Sequence, residues 1–519
     1  MKIYGILNIF LAGLLGWMVL VGSGCRGGVS SEPGLVVALE VEPQTVDPRF
    51  ATDAYSSKIS HLIFSGLVDY DETFKIHPDL AESFRIDQET HYRFRLRPGL
   101  KFSDGTPLTA ADVVATLASV MAPASTSPFK SGLKVIREMK AVSSKEIEIW
   151  LDHPYAPFMS LMTLGIVKQE APERIGWRAE EVIGCGPYRF VSRLAGQSLQ
   201  LAANPHTWGD PPLEANLKLR VIPDETTRAL ELMHGRVDLV LNGVPPLLLN
   251  MLQSRGLQVV TEKGENYSYL MFNLHHPALA NLKVRQAIAQ AIPIESLIRH
   301  RLAGRARRGT GILPPEHWAY EPRVENYPYN PDAATQLLDE AGFPDPDGVG
   351  PLPRFSITYK TSNRKDRVMM AKLIARYLAE VGIEVKIRPL EWGTYFSDIR
   401  SGRFDMASLT WVGIVEPDIF YDLFQSGQIP PVGNNRGGYN NSRVDQLVVQ
   451  GRNLSDQMSR ARIYREVQRI VAHELPYVSL WYEDNVVVAQ AHVTGIHLDP
   501  RASLNFLTHV RLMRKEMTP

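Results

Sequence analysis

The sequence predicts an α/β fold made of two lobes of related design, and three observations point there. Residues 355–411 read as strand, helix, strand, helix, strand, the repeating unit of an open α/β sheet. The junction helix, Gly, Arg, apolar, Asp, strand occurs twice, as Gly235-Arg236-Val237-Asp238 and Gly402-Arg403-Phe404-Asp405. It marks either two lobes of one design or only the habit of glycine at helix ends. The 519 residues suit roughly three domains at ~100–200 residues each. Two facing lobes would leave a cleft at the carboxyl ends of their strands.

Each element follows from local pattern. Leu35-Val36-Val37-Ala38-Leu39 is an apolar run stopped by Glu42-Pro43, which predicts a strand. Tyr92, Phe94 and Leu96 alternate with Arg93 and Arg95, a half-buried strand. Ser103-Asp104-Gly105-Thr106-Pro107 is a turn. Thr109-Ala110-Ala111-Asp112 then opens a helix through about Met121 with a capping-box pattern. Residues 146–151 alternate again. Residues 230–233 read as the end of a helix leading into the first junction. In the second half Phe355, Ile357 and Tyr359 alternate with polar residues, a strand. Val368, Ala371, Ile374, Leu378 and Val381 share one helix face, and Gly382 sits where a helix end favours left-handed backbone. Ile383, Val385 and Ile387 predict the next strand. A short helix over 394–400 and a third strand over 404–411 complete the unit.

Apolar residues make up 44% and charged residues 22%, a globular mix that excludes disordered, collagen-like and multi-spanning membrane chains. Lys+Arg and Asp+Glu both number 56, a balance that argues against a nucleic-acid partner. Catalytic motifs are missing: there is no G-x-S-x-G, no G-x-x-x-x-G-K-[ST] and no H-E-x-x-H. His473-Glu474 runs into Leu475-Pro476, which breaks a helical metal pair. Adjacent His275 and His276 would point to opposite faces of a strand. Asp69/Asp71 and Asp345/Asp347 lie among turn residues and read as solvated. Cys185, in the turn Gly184-Cys185-Gly186-Pro187, has no identifiable base to activate it and reads as a buried small residue. No catalytic residue, metal site or cofactor is predicted, and a secreted hydrolase is the weakest of the readings weighed.

The N-terminus reads as a targeting segment. Lys2, an apolar run to Val21, then Gly22-Ser23-Gly24 and Cys25 follow the order of a secretory signal. A cysteine directly after small residues resembles a bacterial lipoprotein signal, with residues 1–24 removed and Cys25 acylated. Plain secretion and an uncleaved anchor helix are the alternatives. All three place the rest of the chain outside the inner membrane.

The stretch from Tyr92-Arg93-Phe94-Arg95-Leu96-Arg97-Pro98-Gly99-Leu100-Lys101-Phe102-Ser103-Asp104-Gly105-Thr106-Pro107 to Val113 is similar to the most recognisable signature of a known family. That family is the extracellular solute-binding proteins of family 5, the dipeptide-, oligopeptide- and nickel-binding lipoproteins of ABC importers. Glu42-Pro43-Gln44-Thr45-Val46-Asp47-Pro48, Gly184-Cys185-Gly186-Pro187-Tyr188, Asn273 with Val284-Arg285-Gln286-Ala287-Ile288, and Asn435 to Asn441 with Val444-Asp445 resemble further family segments in the right order. Cys185 stands where the family usually has Thr, and Pro293 where an Asp is common. The resemblance implies a two-lobed periplasmic binding protein fold, type II in its large three-domain form, with a hinged ligand cleft. Domain I would combine 33–60, 180–268 and 482–519, domain II 61–179, and domain III 269–481. It also implies a lipid-anchored, monomeric, periplasmic or cell-envelope protein whose partners are a peptide or peptide-like solute and the permease subunits. A ligand-presenting sensor partner or an adhesin on the same fold is the alternative.

In peptide-binding members the segment after the domain III strand contacts the ligand. Here it is Trp411-Val412-Gly413-Ile414-Val415-Glu416-Pro417-Asp418. The family pattern sets an Asp three residues after the Trp to pair with the peptide α-ammonium, and Ile414 takes that place. A buried ammonium needs a counter-charge, so either Glu416 or Asp418 supplies it or the ligand has no free ammonium there. Trp411, Val412, Gly413, Glu416 and Asp418 are therefore ligand-binding candidates, with Trp481, Tyr482 and Glu42 near the expected hinge.

Overall fold

Strand β1 (Leu35–Leu39) is buried at four of its five positions, as an apolar strand flanked on both sides must be. The computed structural model describes residues 34–348 and 350–513. The signal segment and Cys25 lie outside the described residues. No helix among the described residues is long and apolar enough to cross a membrane. From Leu35 onward the chain forms one compact unit.

Nine further strands join β1 in one continuous sheet: β2 (Tyr188–Leu194), β3 (Ser198–Ala203), β4 (Asn216–Val221), β5 (Leu239–Leu241), β6 (Gln258–Phe272), β7 (Phe355–Ser362), β8 (Ile383–Leu390), β9 (Met406–Trp411) and β10 (Tyr477–Ala489). The order is β8-β7-β9-β6-β10-β5-β1-β4-β3-β2, with Ala306–Arg308 paired at the side of β10. β1 runs parallel to β4 and β5, and β7 runs parallel to β8 and β9. The long strands β6 and β10 are antiparallel to each other and belong to both halves. Beside them lie two parallel units with the same chain order, β5-β1-β4 and β9-β7-β8, the first extended by the antiparallel β3 and β2. These are the two lobes.

The helices that position the site are α1 (Ala54–Ile63), α2 (Ala110–Met121), α3 (Glu225–Met233), α4 (Lys365–Ala379), α5 (Trp392–Arg400), α6 (Ile419–Phe424), α7 (Ser442–Arg452) and α8 (Gln457–Glu474). Helix α2 begins with the capping box expected of Thr109 and Asp112. It packs on a separate antiparallel sheet, ordered Ala81–Asp87, His91–Leu96, Glu146–Leu151 and Ile136–Ala141. This insertion has its own core, which includes Phe94, Phe102, Leu117 and Ile149. Cys185 is buried against it, and burial pushes its thiol up to about 12, so it stays a protonated packing group. Each fully buried Leu, Ile or Phe contributes roughly 1.5–3 kcal/mol, and each lobe gathers its own such clusters.

The repeated junction is structural in both places. Gly235 and Gly402 take φ of +66° and +69° after α3 and α5. Arg236 reaches back to Glu231 at 2.5 Å and Arg403 to Asp398 at 2.8 Å. Asp238 accepts the Val36 N–H of β1, and Asp405 accepts the Thr358 N–H of β7, both at 2.8 Å. The aspartate thus satisfies a strand N–H beyond the last rung shared with its parallel neighbour. The third strand of the unit begins at Met406 rather than at 404, with the Asp405 carbonyl accepting the Asn273 N–H just past the end of β6.

Where β6 and β10 cross between the lobes their register slips. Glu262 faces Asn485 and Asn266 faces Glu483, so β6 spends four residues where β10 spends two. An added Cβ at Gly264, inside this bulge, would sit 2.1 Å from the Glu483 carbonyl oxygen. Only glycine fits. A bulge of this kind bends a strand and re-aims its side chains.

Candidate ligand-binding cleft

Trp411 ends β9 opposite Tyr267 of β6. Its indole Nε1 is buried with no hydrogen-bond partner, and the Arg436 guanidinium lies 5.6 Å from the ring centroid. Val412 is exposed. Gly413 has φ of +72°, and nothing lies within 4 Å of an added Cβ, so glycine serves backbone conformation there rather than space. Ile414 turns away into the apolar cluster that contains Phe420 and Phe424.

Both acids that could replace the expected aspartate already have cationic partners. Glu416 forms an ion pair with Arg460 of α8 and accepts the Asp418 N–H at 3.3 Å. Asp418 pairs with Arg452 of α7 at 2.8 Å and accepts from the Tyr464 hydroxyl at 3.4 Å. Burial pushes the Asp418 carboxyl up to about 7, with Arg452 pulling the other way. The same two ion pairs carry contacts to the insertion. The Arg452 carbonyl accepts the Ala156 N–H at 2.8 Å, its guanidinium donates to the Tyr155 hydroxyl at 3.4 Å, and the Ser160 hydroxyl donates to Glu416 at 3.5 Å. On another side Arg364, at the start of α4, reaches Glu40 after β1 at 3.1 Å. The cleft is bridged at both places.

The remaining expected residues lie elsewhere. Trp481 is buried in the second lobe's core and donates its indole N–H to Glu483 at 3.2 Å. Tyr482 is fully buried, with its hydroxyl between the carbonyls of Gly311 and Leu313. Glu42 holds Arg193 in a two-pronged ion pair at 2.6 and 3.0 Å and accepts the Gly196 N–H. It meets none of the others. His275 and His276 sit in the turn after β6, and no cluster suited to a metal occurs among the described residues.

Sequence reasoning missed Glu265. It lies in the β6 bulge, its N–H bonded to the Pro500 carbonyl at 3.2 Å. The residue is 2% exposed, and neither carboxylate oxygen has a hydrogen-bond partner. Its charged neighbours are Lys58 of α1 and Asp499 and Arg501 near the C-terminus, and the second lobe adds the uncharged Gly413 N–H after β9, which lies beside it without forming a hydrogen bond. Burial pushes the carboxyl up to about 8. Burial lowers the Lys58 ammonium, which has no carboxylate within 4 Å among the described residues. The available signal was Glu262-Lys263-Gly264-Glu265-Asn266, a charged, glycine-bearing break in an otherwise strand-forming run.

The model of the bacterial extracellular solute-binding proteins, family 5, matches residues 75–430. The chain belongs to this family. Oligopeptide-binding protein AppA of Bacillus subtilis is 27% identical over 522 residues, covering 96% of this chain and 95% of that one. Heme-binding protein A of Haemophilus influenzae is 29% identical over 476 residues, covering 85% of each. The structure of AppA with a nonapeptide superposes with a TM-score of 0.81 at 26% identity, covering 92% of this chain and 99% of AppA. NikZ of Campylobacter jejuni, in complex with Ni(L-His), gives 0.80 at 26%, with the same coverage. The two-lobed fold and the family read from the sequence therefore hold. As a family 5 protein the chain is an extracytoplasmic solute-binding component of ABC import, and the relatives named here are binding proteins.

Proposed function

We propose that this chain captures a peptide-like solute by closing its lobes and delivers it to the permease of an ABC importer. It would act by binding and release, with no chemical step, as a monomer tethered through lipid at Cys25. The observation that carries this reading is the cleft itself: β6 and β10 link the lobes' sheets through a slipped, glycine-bearing register, and beside it the charged groups Lys58, Asp499 and Arg501 meet the Gly413 N–H of the second lobe. Taking 33–60, 180–268 and 482–519 with the insertion 61–179 as one moving body and 269–481 as the other supports closure by hinge bending. Trp411, Val412 and Gly413 line the second lobe's side. A side chain or backbone of the cargo would use the free Trp411 indole N–H. Glu416 and Asp418 would hold the loop through their arginines.

Native mass spectrometry of the protein purified from cell envelopes should find a retained peptide-like mass. Returned to stripped protein, that species should reduce the radius of gyration in small-angle scattering. A retained cargo with no peptide bond, or a radius unchanged on saturation, would overturn the reading. The anchor is tested separately. Cys25→Ala should leave the chain as an uncleaved precursor or release it from the membrane fraction, whereas processing and fractionation like the parent would rule lipid tethering out.

A further inference from the structure

We propose that Glu265 is the cation-binding group of this cleft and selects cargo bearing a free ammonium, taking the part that Ile414 cannot play. This deepens the proposed function and rests on it. Four acids lie near the expected position. Glu416 and Asp418 are bound to Arg460 and Arg452, and recruiting either would strip an arginine of its partner. Glu483 accepts from the Trp481 indole and the Ser268 hydroxyl. Glu265 alone of the four is enclosed with both carboxylate oxygens unpartnered.

Its placement suits the task. Glu265 stands two residues before Tyr267, and Gly413 two residues after Tyr267's partner Trp411. The unpartnered acceptors of Glu265 and the unpartnered indole donor of Trp411 therefore flank one short stretch of the β6–β9 seam. A ligand ammonium on Glu265 would have an acceptor of the Trp411 N–H, such as a peptide carbonyl, close along the same chain. Only glycine at 264 lets the backbone pass the Glu483 carbonyl, and that passage turns Glu265 toward Lys58 and Gly413. Burial without a partner keeps the carboxyl of the empty site protonated at neutral pH, and an incoming ammonium supplies the counter-charge that lets it ionise and form a charge-assisted bond. The surrounding charges do not do so already: Arg501 reaches Asp69 at 3.5 Å and Asp499 at 3.8 Å rather than Glu265, and Lys58 stays beyond ion-pair distance.

The test exposes stripped wild-type and Glu265→Gln protein to a casein hydrolysate, untreated or with its amines acetylated, and reads captured masses by native mass spectrometry. Calorimetry with trialanine and N-acetyl-trialanine gives affinities. Wild type should capture peptides only from the untreated hydrolysate, and Glu265→Gln should lose capture. Where trialanine binds, Glu265→Gln should weaken it on the order of a hundredfold and leave the acetylated form within threefold. Capture from both hydrolysates by both proteins would preserve the transport reading and overturn the role of Glu265. Capture from neither by wild type would overturn the peptide cargo, and Glu265 would then be judged with agmatine and putrescine, cations without a peptide bond. Binding of these that Glu265→Gln abolishes would support it, and its absence would overturn it too.

Discussion

Arg460→Ala is expected to cost roughly 3–5 kcal/mol of folding stability, the usual penalty for removing one member of a buried ion pair. Arg460 is 6% exposed. It pairs with Glu416, donates to the Gly451 carbonyl at 3.1 Å, and holds its guanidinium 5.4 Å from the Trp318 ring. Alanine leaves the Glu416 carboxylate with only the Asp418 N–H and the Ser160 hydroxyl, at 3.3 and 3.5 Å. Two neutral hydrogen bonds of that length do not replace an arginine. The double variant Arg460→Met with Glu416→Gln should recover most of the loss, because it removes the charges together. Urea denaturation of the parent and the two variants measures this. A loss below about 1 kcal/mol for Arg460→Ala, the range of exposed pairs, would show that the pair is solvated and that the post-β9 loop is held by other means.

The sequence made the scaffold legible because local chemistry dictates it. The capping box at Thr109 needs only Asp112, three residues on. The helix ends at Gly235, Gly382 and Gly402 follow from left-handed backbone that glycine adopts freely. The repeated junction could be seen, but its meaning could not. It rests on Asp238 and Asp405 accepting N–H groups 202 and 47 residues away, which no window of sequence contains.

The cleft was legible only in part, for the same reason. Reading the loop from Trp411 to Asp418 located the right segment and its charged residues. It could not see that Arg452 and Arg460, 34 and 44 residues further along, had already claimed Asp418 and Glu416. Trp481 and Tyr482 lie in a strand buried on both faces, where an aromatic is a packing residue, and strand periodicity does not reveal a second covered face. Glu42 was placed near the hinge by chain position, yet its partner Arg193 at the end of β2 holds it. Glu265 went unnoticed because a Gly-Glu-Asn break reads as a turn until a bulge is seen to hold it inside the protein.

Glu265→Gln is expected to flatten the alkaline side of the stability profile, and its sign follows from the buried carboxyl. Burial raises Glu265 from an ordinary 4.5 to about 8, with Asp499 adding to the rise and Arg501 and Lys58 opposing it. Between those values the folded protein keeps a proton that the unfolded chain has released. Stability therefore falls as pH rises through this window, by at most ~1.4 kcal/mol per unit, and levels off above about 8. Below about 4.5 both states are protonated and the group contributes no slope. Glutamine is nearly isosteric and cannot ionise, and no hydrogen bond is lost because neither carboxylate oxygen makes one. In the empty protein the variant should gain roughly 2–4 kcal/mol on the parent between pH 5 and pH 8.5, read as the change in their difference in urea unfolding free energy. A bound cation should erase that gain, since the parent's carboxylate then has its partner. A change under about 0.5 kcal/mol in the empty protein would mean that Glu265 ionises as an ordinary carboxylate, with Lys58 or Arg501 closing on it in solution, and the cleft would hold no free acid for its cargo.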